Sequence, residues 1–247
     1  MISIKSKEDI AKMREGGKIL ARILDQILLK IKAGAAAEEL DKAAKALILQ
    51  SGAKVAFEGY QGFPAALCVS INEEVVHGVP SSRILKEGDI VTIDIGLVWK
   101  GFYVDMARTV PVGQASPEAL RLIRVAKKAL RLGIKKVHPG ATVGDIGNTI
   151  QRFVESQKFQ IVRDLCGHGI GKDLHEDPLI LNYGERHTGT ELKEGMAICI
   201  EPMITMGDWH VKQAIDGFVF TTVDNSLAAH FEDTIAVTEN GCEVLTS

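Results

Sequence analysis

Two consecutive apolar segments between residues 88 and 113, GDIVTIDIGLVWKGFYVDMARTVPVG, constrain the fold most, because each carries one acid within a run typical of a buried strand. Lys100-Gly101 predicts a tight turn that makes the two segments an antiparallel hairpin. A loop of even length places Asp94 and Asp105 on the same face of that hairpin. Two carboxylates buried together cost several kcal/mol per ion unless a positive charge compensates them or one is protonated. The rest of the chain must supply that compensation.

The composition is that of a globular chain without a strong charge bias. Its 247 residues are 46% hydrophobic, and 29 basic residues are mixed with 32 acidic ones for a net charge of −3. The basic residues are not clustered, so the sequence does not predict binding to nucleic acid or anionic lipid. The amino terminus lacks the apolar stretch of a signal peptide, and no run approaches the ~20 apolar residues of a membrane helix. With four scattered cysteines and no CxxC pair, the sequence predicts a cytoplasmic protein with reduced thiols.

The order of the predicted elements repeats once along the chain. Capping boxes, amphipathic patterns and a proline at a first helical position predict helices over 7–31, 37–51, 116–136 and 142–158. Strand-like segments occupy 66–71, 89–99, 102–112, 196–204, 217–223 and 230–238. Helix, helix and strands, twice over, predict an α+β fold in which two similar halves share one sheet layer under four helices. No linker separates the halves, so we expect a single domain over 1–247.

Acids also interrupt apolar segments of the second half. Glu201 lies in CIEPMI and Glu232 in HFEDTIAV, so each half contributes two acids at matching places. One such acid alone is more often salt-bridged or directed to solvent, but four at corresponding places favour a shared site. Histidines in glycine-flanked or loop-like settings add candidate imidazoles, namely His77, His168 and His175.

The pattern of four carboxylates with at least one imidazole predicts a dinuclear metal site. Two divalent cations carry four positive charges, and oxygen and imidazole ligands suit Mn, Fe, Co or Zn. Such a pair activates water and polarises a carbonyl or phosphoryl group. The remaining histidines are interpreted as ordinary polar residues, although the last stands close enough to Glu232 to need a structural check: His138, His187, His210 and His230.

Other catalytic motifs fail on inspection. GHGIGK has neither the spacing of a phosphate-binding loop nor a Ser or Thr after Lys172, and it does not match GxGxxG. HEDPL lacks a second histidine and places Pro178 where a zinc-protease helix would run. No GxSxG elbow is present.

Over essentially its whole length the chain resembles the type 1 methionine aminopeptidases. The motifs that carry the resemblance occur in the family's order and spacing: IKSKEDIAKMREGGKI, GYQGFPAALCVSINEEVVHGVP, GDIVTIDIG, CGHGIGKDLHEDPLILNYG, EGMAICIEPMI and FEDTIAVTENG. The resemblance implies the pita-bread fold, with two pseudo-symmetric halves and a curved antiparallel sheet around a dinuclear metal site. It also implies removal of the initiator methionine from nascent polypeptides whose second residue is small.

Matching motif positions imply roles for individual residues. The five implied metal ligands, of which Asp105 and Glu232 bridge both ions, are Asp94, Asp105, His168, Glu201 and Glu232. Glu201 is also implied to shuttle a proton, and His77 and His175 to contact the substrate without binding metal. The implied methionine side-chain pocket comprises Phe57, Tyr60, Phe63, Cys68, Leu174 and Phe218. Leu174 and Phe218 depart from the family, since larger aromatic rings are common at both positions.

Two alternative functions remain open from the sequence. Prolidases and aminopeptidases P have the same five-ligand site but usually carry an extra amino-terminal domain. A catalytically silent protein of this fold would bind peptides or partners, but it would have lost ligands, and none is missing here. The resemblance implies a monomer that meets nascent amino termini at the ribosome.

Overall fold

The computed structural model describes residues 2–247 and contains a nine-stranded antiparallel sheet built from both halves of the chain. The four α-helices are α1 (Lys7–Leu28), α2 (Ala37–Gln50), α3 (Pro117–Ile134) and α4 (Val143–Ser156). The strands of the first half are β1 (Lys54–Val55), β2 (Leu67–Ile71), β3 (Glu74–Val76), β4 (Ile90–Trp99) and β5 (Phe102–Pro111). Those of the second half are β6 (Gln160–Ile161), β7 (Gly167–Gly169), β8 (Glu176–Ile180), β9 (Ala197–Ile200), β10 (Met203–Thr205), β11 (Val211–Gln213), β12 (Phe220–Thr222), β13 (Ala228–His230), β14 (Glu232–Thr238) and β15 (Gly241–Val244).

The large sheet joins the two halves at its centre. Its main path runs β1-β4-β5-β14-β9-β7-β8, while β2 pairs with β4 and β15 pairs with β14. The junction is the β5–β14 pair, in which one strand comes from each half. Two three-stranded sheets, β13-β10-β6 and β11-β12-β3, flank it. The predicted α+β architecture, with four helices and a shared antiparallel sheet, is confirmed.

The hairpin of β4 and β5 forms as predicted. Trp99 pairs with Phe102 across the two-residue turn, whose residues Lys100 and Gly101 have φ values of 49° and 84°. Positive φ at both positions matches the twist of adjoining antiparallel strands, which explains the glycine. Ten registered pairs hold β4 against β5 without a break.

The helices begin at their predicted caps. The Ser6 and Thr142 hydroxyls each accept a hydrogen bond from the backbone N–H three residues ahead, and Ser116 caps α3 in the same way before Pro117. Their apolar faces form two cores. Helix α1 packs on β4 and β5 and α2 on β2, whereas α3 packs on β9 and β14 and α4 on β6 and β8. Among residues 2–247, no helix combines the length and apolar character needed to cross a bilayer.

Two segments of the second half that were predicted as continuous strands are each divided into two strands in the structure. The segment 196–204 divides into β9 and β10 at Glu201-Pro202, where proline has no N–H to donate to a ladder. The segment 230–238 divides at Phe231, so that β13 and β14 join different sheets. The segment 217–223 contributes only the three residues of β12. Short strands such as β7 and β8 were not predicted, because three to five residues give too little periodicity.

Candidate active site

Strand register brings three of the four predicted acids to one face of the large sheet. Ala107 of β5 lies opposite Asp94 on β4 and opposite Glu232 on β14, so both acids flank it. Asp105 stands two residues before Ala107 and therefore points to the same face. Ligand oxygens of Asp94, Asp105 and Glu232 all lie within 4.8 Å of one another. The predicted convergence of Asp94 and Asp105 is confirmed.

Glu201 and His168 complete the cluster from the second half. Glu201 follows β9 directly, and His168 is the central residue of β7, which pairs with β9. The His168 Nε2 atom lies 3.6 Å from Glu201 Oε1 and 3.9 Å from Glu232 Oε1. Its Nδ1 atom lies 2.8 Å from the carbonyl oxygen of Gly169, an acceptor that requires the ring proton on Nδ1. The lone pair on Nε2 is therefore directed at the carboxylates, as in a metal-binding histidine.

Burial dominates the electrostatics of this cluster. It raises the pKa of Asp94 and raises the pKa values of Asp105, Glu201 and Glu232 well above their ordinary range, and repulsion from neighbouring carboxylates adds to the rise for the last three. For His168, burial followed by the nearby His175 ring lowers the pKa to about 3. The site therefore favours a neutral imidazole and disfavours uncompensated carboxylates.

The donor set fits divalent metal. Buried oxygens Asp94 Oδ1, Asp105 Oδ1 and Glu232 Oε1 have no hydrogen-bond partner, which is costly for polar atoms away from water. Four carboxylates and one imidazole supply the oxygen and nitrogen donors that first-row divalent ions prefer. Glu232 is shared by every candidate ligand group among the described residues.

His77 and His175 lie on the cavity wall beside the cluster. The His175 Nδ1 atom is 3.0 Å from the Tyr60 hydroxyl, and its ring packs edge-on against His168 at a centroid distance of 4.4 Å. His77 packs edge-on against Phe220 at 5.8 Å. Although both rings are exposed to the cavity, the surrounding protein desolvates them, lowering the pKa of His175 and lowering that of His77 to about 4. Both imidazoles are neutral at pH 7.

A cavity of about 850 Å³ contains every site residue predicted from the sequence. The acids and histidines line it, together with an apolar wall made by the predicted pocket residues Phe57, Tyr60, Phe63, Cys68, Leu174 and Phe218. The rings of Phe63 and Phe218 meet edge to face, 5.5 Å between centroids. The cavity thus combines a polar cluster with an apolar recess.

Sequence reasoning missed several residues of this region. Further cavity-lining side chains that were not singled out from the sequence include Cys166, Leu179, Met203 and Phe220. The first three lie in the segments that carry His168 and Glu201. His230 was interpreted as an ordinary polar residue, yet its Nε2 atom lies 3.5 Å from Glu201 Oε2 and 3.8 Å from Glu232 Oε2. Its spacing of two from Glu232 was the available signal, because such residues share a face in an extended chain.

The fold and the cluster together define a metal-dependent hydrolase, and comparison with known proteins identifies its family. Residues 11–239 match metallopeptidase family M24. The chain belongs to this family and is a metallopeptidase that depends on divalent metal.

The resemblance to methionine aminopeptidases is confirmed over the whole chain. A protein named methionine aminopeptidase from Mycoplasma capricolum is 47% identical over 247 residues, covering 100% of this chain and 98% of that protein. The crystal structure of methionine aminopeptidase from Thermotoga maritima has a TM-score of 0.98 at 45% identity and covers 100% of both chains. A prolidase from Pyrococcus horikoshii shares the fold at a TM-score of 0.77 and 22% identity, with 99% of this chain and 63% of that chain covered.

Proposed function

We propose that this metallopeptidase is a methionine aminopeptidase that removes the initiator methionine from nascent polypeptides. One observation carries the proposal: the carboxylate–imidazole cluster and a set of apolar side chains line the same cavity. Full-length relatives named methionine aminopeptidase support it. We further propose that residues 1–247 act as a single catalytic domain.

The proposed metal centre holds two divalent ions, drawn from Mn, Fe, Co and Zn. The proposed ligands are the five residues predicted from the sequence: Asp94, Asp105, His168, Glu201 and Glu232. Asp105 and Glu232 would bridge the ions, and their position on adjacent strands β5 and β14 supports this role. When bound, such a pair supplies Lewis acidity and an activated water.

Protein groups would move the proton and stabilise negative charge. Glu201 would accept the proton of the attacking water and pass it to the departing amine, because its carboxylate lines the cavity beside the other proposed ligands. If the Tyr60 hydroxyl donates to Nδ1 of His175, the ring proton resides on Nε2, which can then donate to the oxyanion. His77 would contact the scissile amide nitrogen or the second residue.

The apolar wall would hold the first side chain of the substrate. Phe63 and Phe218 present ring surface, and Cys68 adds a polarisable sulfur, which suits an unbranched thioether. Tyr60, Phe57 and Leu174 would complete the pocket. A charged first residue would lose its hydration there without gaining a partner.

The proposed substrates are nascent amino termini met near the ribosome by a monomer in the cytoplasm. All four cysteines are free, as expected in a reducing compartment. The mixed charge of the sequence, with a net value of −3, gives no reason to propose a nucleic-acid partner. The prolidase alternative rests on a shared fold, and the silent-binder alternative is disfavoured because all five proposed ligands are present.

Specificity tests the proposal most sharply. We expect kcat/KM to be highest for Met-Ala-Ser, lower for Leu-Ala-Ser by the equivalent of about 1–3 kcal/mol, and very low for Met-Lys-Ser. Crowding beside His77 would exclude the large second residue of Met-Lys-Ser. Assays use enzyme loaded with Mn²⁺ or Co²⁺ and detect the released free amino acid. Preference for Ala-Pro-Ser would favour the aminopeptidase P alternative, and no cleavage of any peptide would favour the silent binder.

A further inference from the structure

We infer that His230 is an additional metal ligand, whose Nε2 atom binds the same ion as Glu201 and Glu232. The inference rests on the metal centre proposed above and extends it by a second imidazole. It assigns to this chain a ligand set of four carboxylates and two histidines.

His230 occupies the mirror position of His168 across two carboxylates. The His168 Nε2 atom faces the Oε1 atoms of Glu201 and Glu232 at 3.6 and 3.9 Å. The His230 Nε2 atom faces the Oε2 atoms of the same residues at 3.5 and 3.8 Å. One imidazole therefore lies on either side of the Glu201–Glu232 pair.

These distances are those of co-ligands rather than of hydrogen bonds. An N–H···O bond spans about 2.7–3.2 Å, so 3.5–3.8 Å is too long. Two ligands about 2.1 Å from one tetrahedral ion lie about 3.4 Å apart, close to the observed separations. The donor atoms of Glu201, His230 and Glu232 also form one of the candidate ligand groups.

The environment of His230 leaves its ring without another role. The residue is 1% exposed, and neither Nδ1 nor Nε2 has a hydrogen-bond partner. Its backbone is fixed, because its N–H donates to the Thr109 hydroxyl and its carbonyl accepts from the same hydroxyl. The Arg108 guanidinium does not compensate the charge of these carboxylates by pairing with them, because it donates to Asp233 and to backbone carbonyls. A rigid, buried and unpartnered imidazole beside two carboxylates is a preorganised metal donor.

A second imidazole changes the metals that the site prefers. Imidazole suits Zn, Fe and Co, whereas an all-oxygen environment suits Mn. Loss of a group that only supports a metal ligand typically weakens metal binding about 10- to 100-fold. We therefore expect His230→Gln, which removes a ligand, to weaken Co²⁺ binding by at least about 10-fold. Mn²⁺ binding should weaken less, so the ratio of Co²⁺ affinity to Mn²⁺ affinity should be smaller in His230→Gln than in wild type.

The test counts metal-bound histidines directly. In the proton NMR spectrum of Co²⁺-loaded protein, each bound imidazole gives a hyperfine-shifted exchangeable N–H signal. We expect two such signals in wild type, one in His230→Gln and one in His168→Ala. His77→Ala is the matched control and should retain both. Calorimetric titration with Co²⁺ and Mn²⁺ supplies the dissociation constants.

Unmutated protein gives an independent reading if a variant fails to fold. Zn²⁺ titration of wild type labelled with ¹⁵N-histidine should shift the ring nitrogens of two buried histidines. A single shifted histidine, or unchanged spectra and Co²⁺ affinity in His230→Gln, would overturn the inference while leaving the metal centre intact. Wild type that binds neither ion would instead contradict the metal centre itself.

Discussion

The two halves of the chain deliver their acids to the cavity from different kinds of backbone. Asp94 and Asp105 lie inside β4 and β5, a hairpin with ten uninterrupted pairs. Glu201 follows the end of β9, and Glu232 is the first residue of β14. The first half therefore uses strand interiors, and the second half uses strand ends.

This difference between strand interiors and strand ends lets one site collect polar side chains that approach from different directions. A continuous ladder fixes side chains two residues apart on one face, which places Asp94 and Asp105 against the sheet. Breaks at Pro202 and Phe231 let Glu201 and His230 approach the same point from outside that ladder. The hairpin supplies a rigid base, and the interrupted strands supply the remaining donors.

The largest expected effect separates a shared ligand from an unshared one. Asp105→Asn should lose both ions at metal concentrations that saturate wild type, whereas Glu201→Gln should retain about one ion per chain, because the Asp94–Asp105–Glu232 group survives. Activity of Asp105→Asn should fall on the order of 10³-fold, equivalent to several kcal/mol. Metal analysis after gel filtration measures the ion content of both variants, and steady-state kinetics measure their activity.

The exposed Asp25 on α1 offers a matched control, since Asp25→Asn makes the same chemical change outside the cavity. It should leave metal content and activity unchanged. Greater metal loss in Glu201→Gln than in Asp105→Asn would reverse the roles assigned to these two residues.

A helper histidine should affect catalysis without affecting metal content. His175→Ala should lower kcat by roughly 10²-fold, the usual size for losing one oxyanion donor, with both ions retained. Steady-state kinetics and metal analysis of the same sample test this. His187→Ala removes an exposed histidine that does not line the cavity, and it should behave as wild type. Metal loss from His175→Ala would make it a ligand.

Metal removal should destabilise the junction where the acids of both halves meet. Saturation at a hundredfold excess over Kd contributes about 2.7 kcal/mol per site to the free energy of unfolding, which chelation removes. The remaining carboxylates have raised pKa values in the folded state, so the folded protein binds more protons than the unfolded chain. Stability of the metal-free protein should therefore fall as pH rises toward those pKa values.

The pH range above 6.5 isolates this carboxylate effect. The lowered pKa values of His168 and His230, about 3 and 4, favour stability above the ordinary value of 6.5 and cost stability only as pH falls below it. As pH rises above 6.5, Tm of the chelated protein should decrease more steeply than Tm of Mn²⁺-loaded protein. Parallel Tm curves would show that the carboxylates carry no such cost.

The smallest expected effect concerns the orientation of a helper group. Tyr60→Phe removes the hydroxyl that bonds His175 Nδ1, worth about 1 kcal/mol for one neutral hydrogen bond. We expect kcat to fall about 5- to 10-fold with little change in KM or metal content. A loss as large as that of His175→Ala would mean that the hydroxyl itself contacts the reacting atoms.

The site residues of the first half could be predicted because the even loop length and the helix caps are local sequence patterns. Those of the second half were harder to predict because they lie at strand ends. The even loop at Lys100-Gly101 relates Asp94 to Asp105 through local chain geometry, which a sequence pattern contains in full. No local pattern predicted that β13 and β14 separate at Phe231, because that break is set by which sheet each segment joins. The proximity of His230 to Glu201 depends on this tertiary arrangement, as does the single cavity that gathers the pocket residues.

Release of free methionine from Met-Ala-Ser, before and after metal removal, tests the central claim most directly. We expect release by enzyme loaded with Mn²⁺ or Co²⁺, none after chelation, and full recovery when metal is restored to the same sample. Asp105→Asn should release methionine on the order of 10³-fold more slowly than wild type under these conditions. Undiminished methionine release by the chelated enzyme would show that this cluster does not act through bound metal.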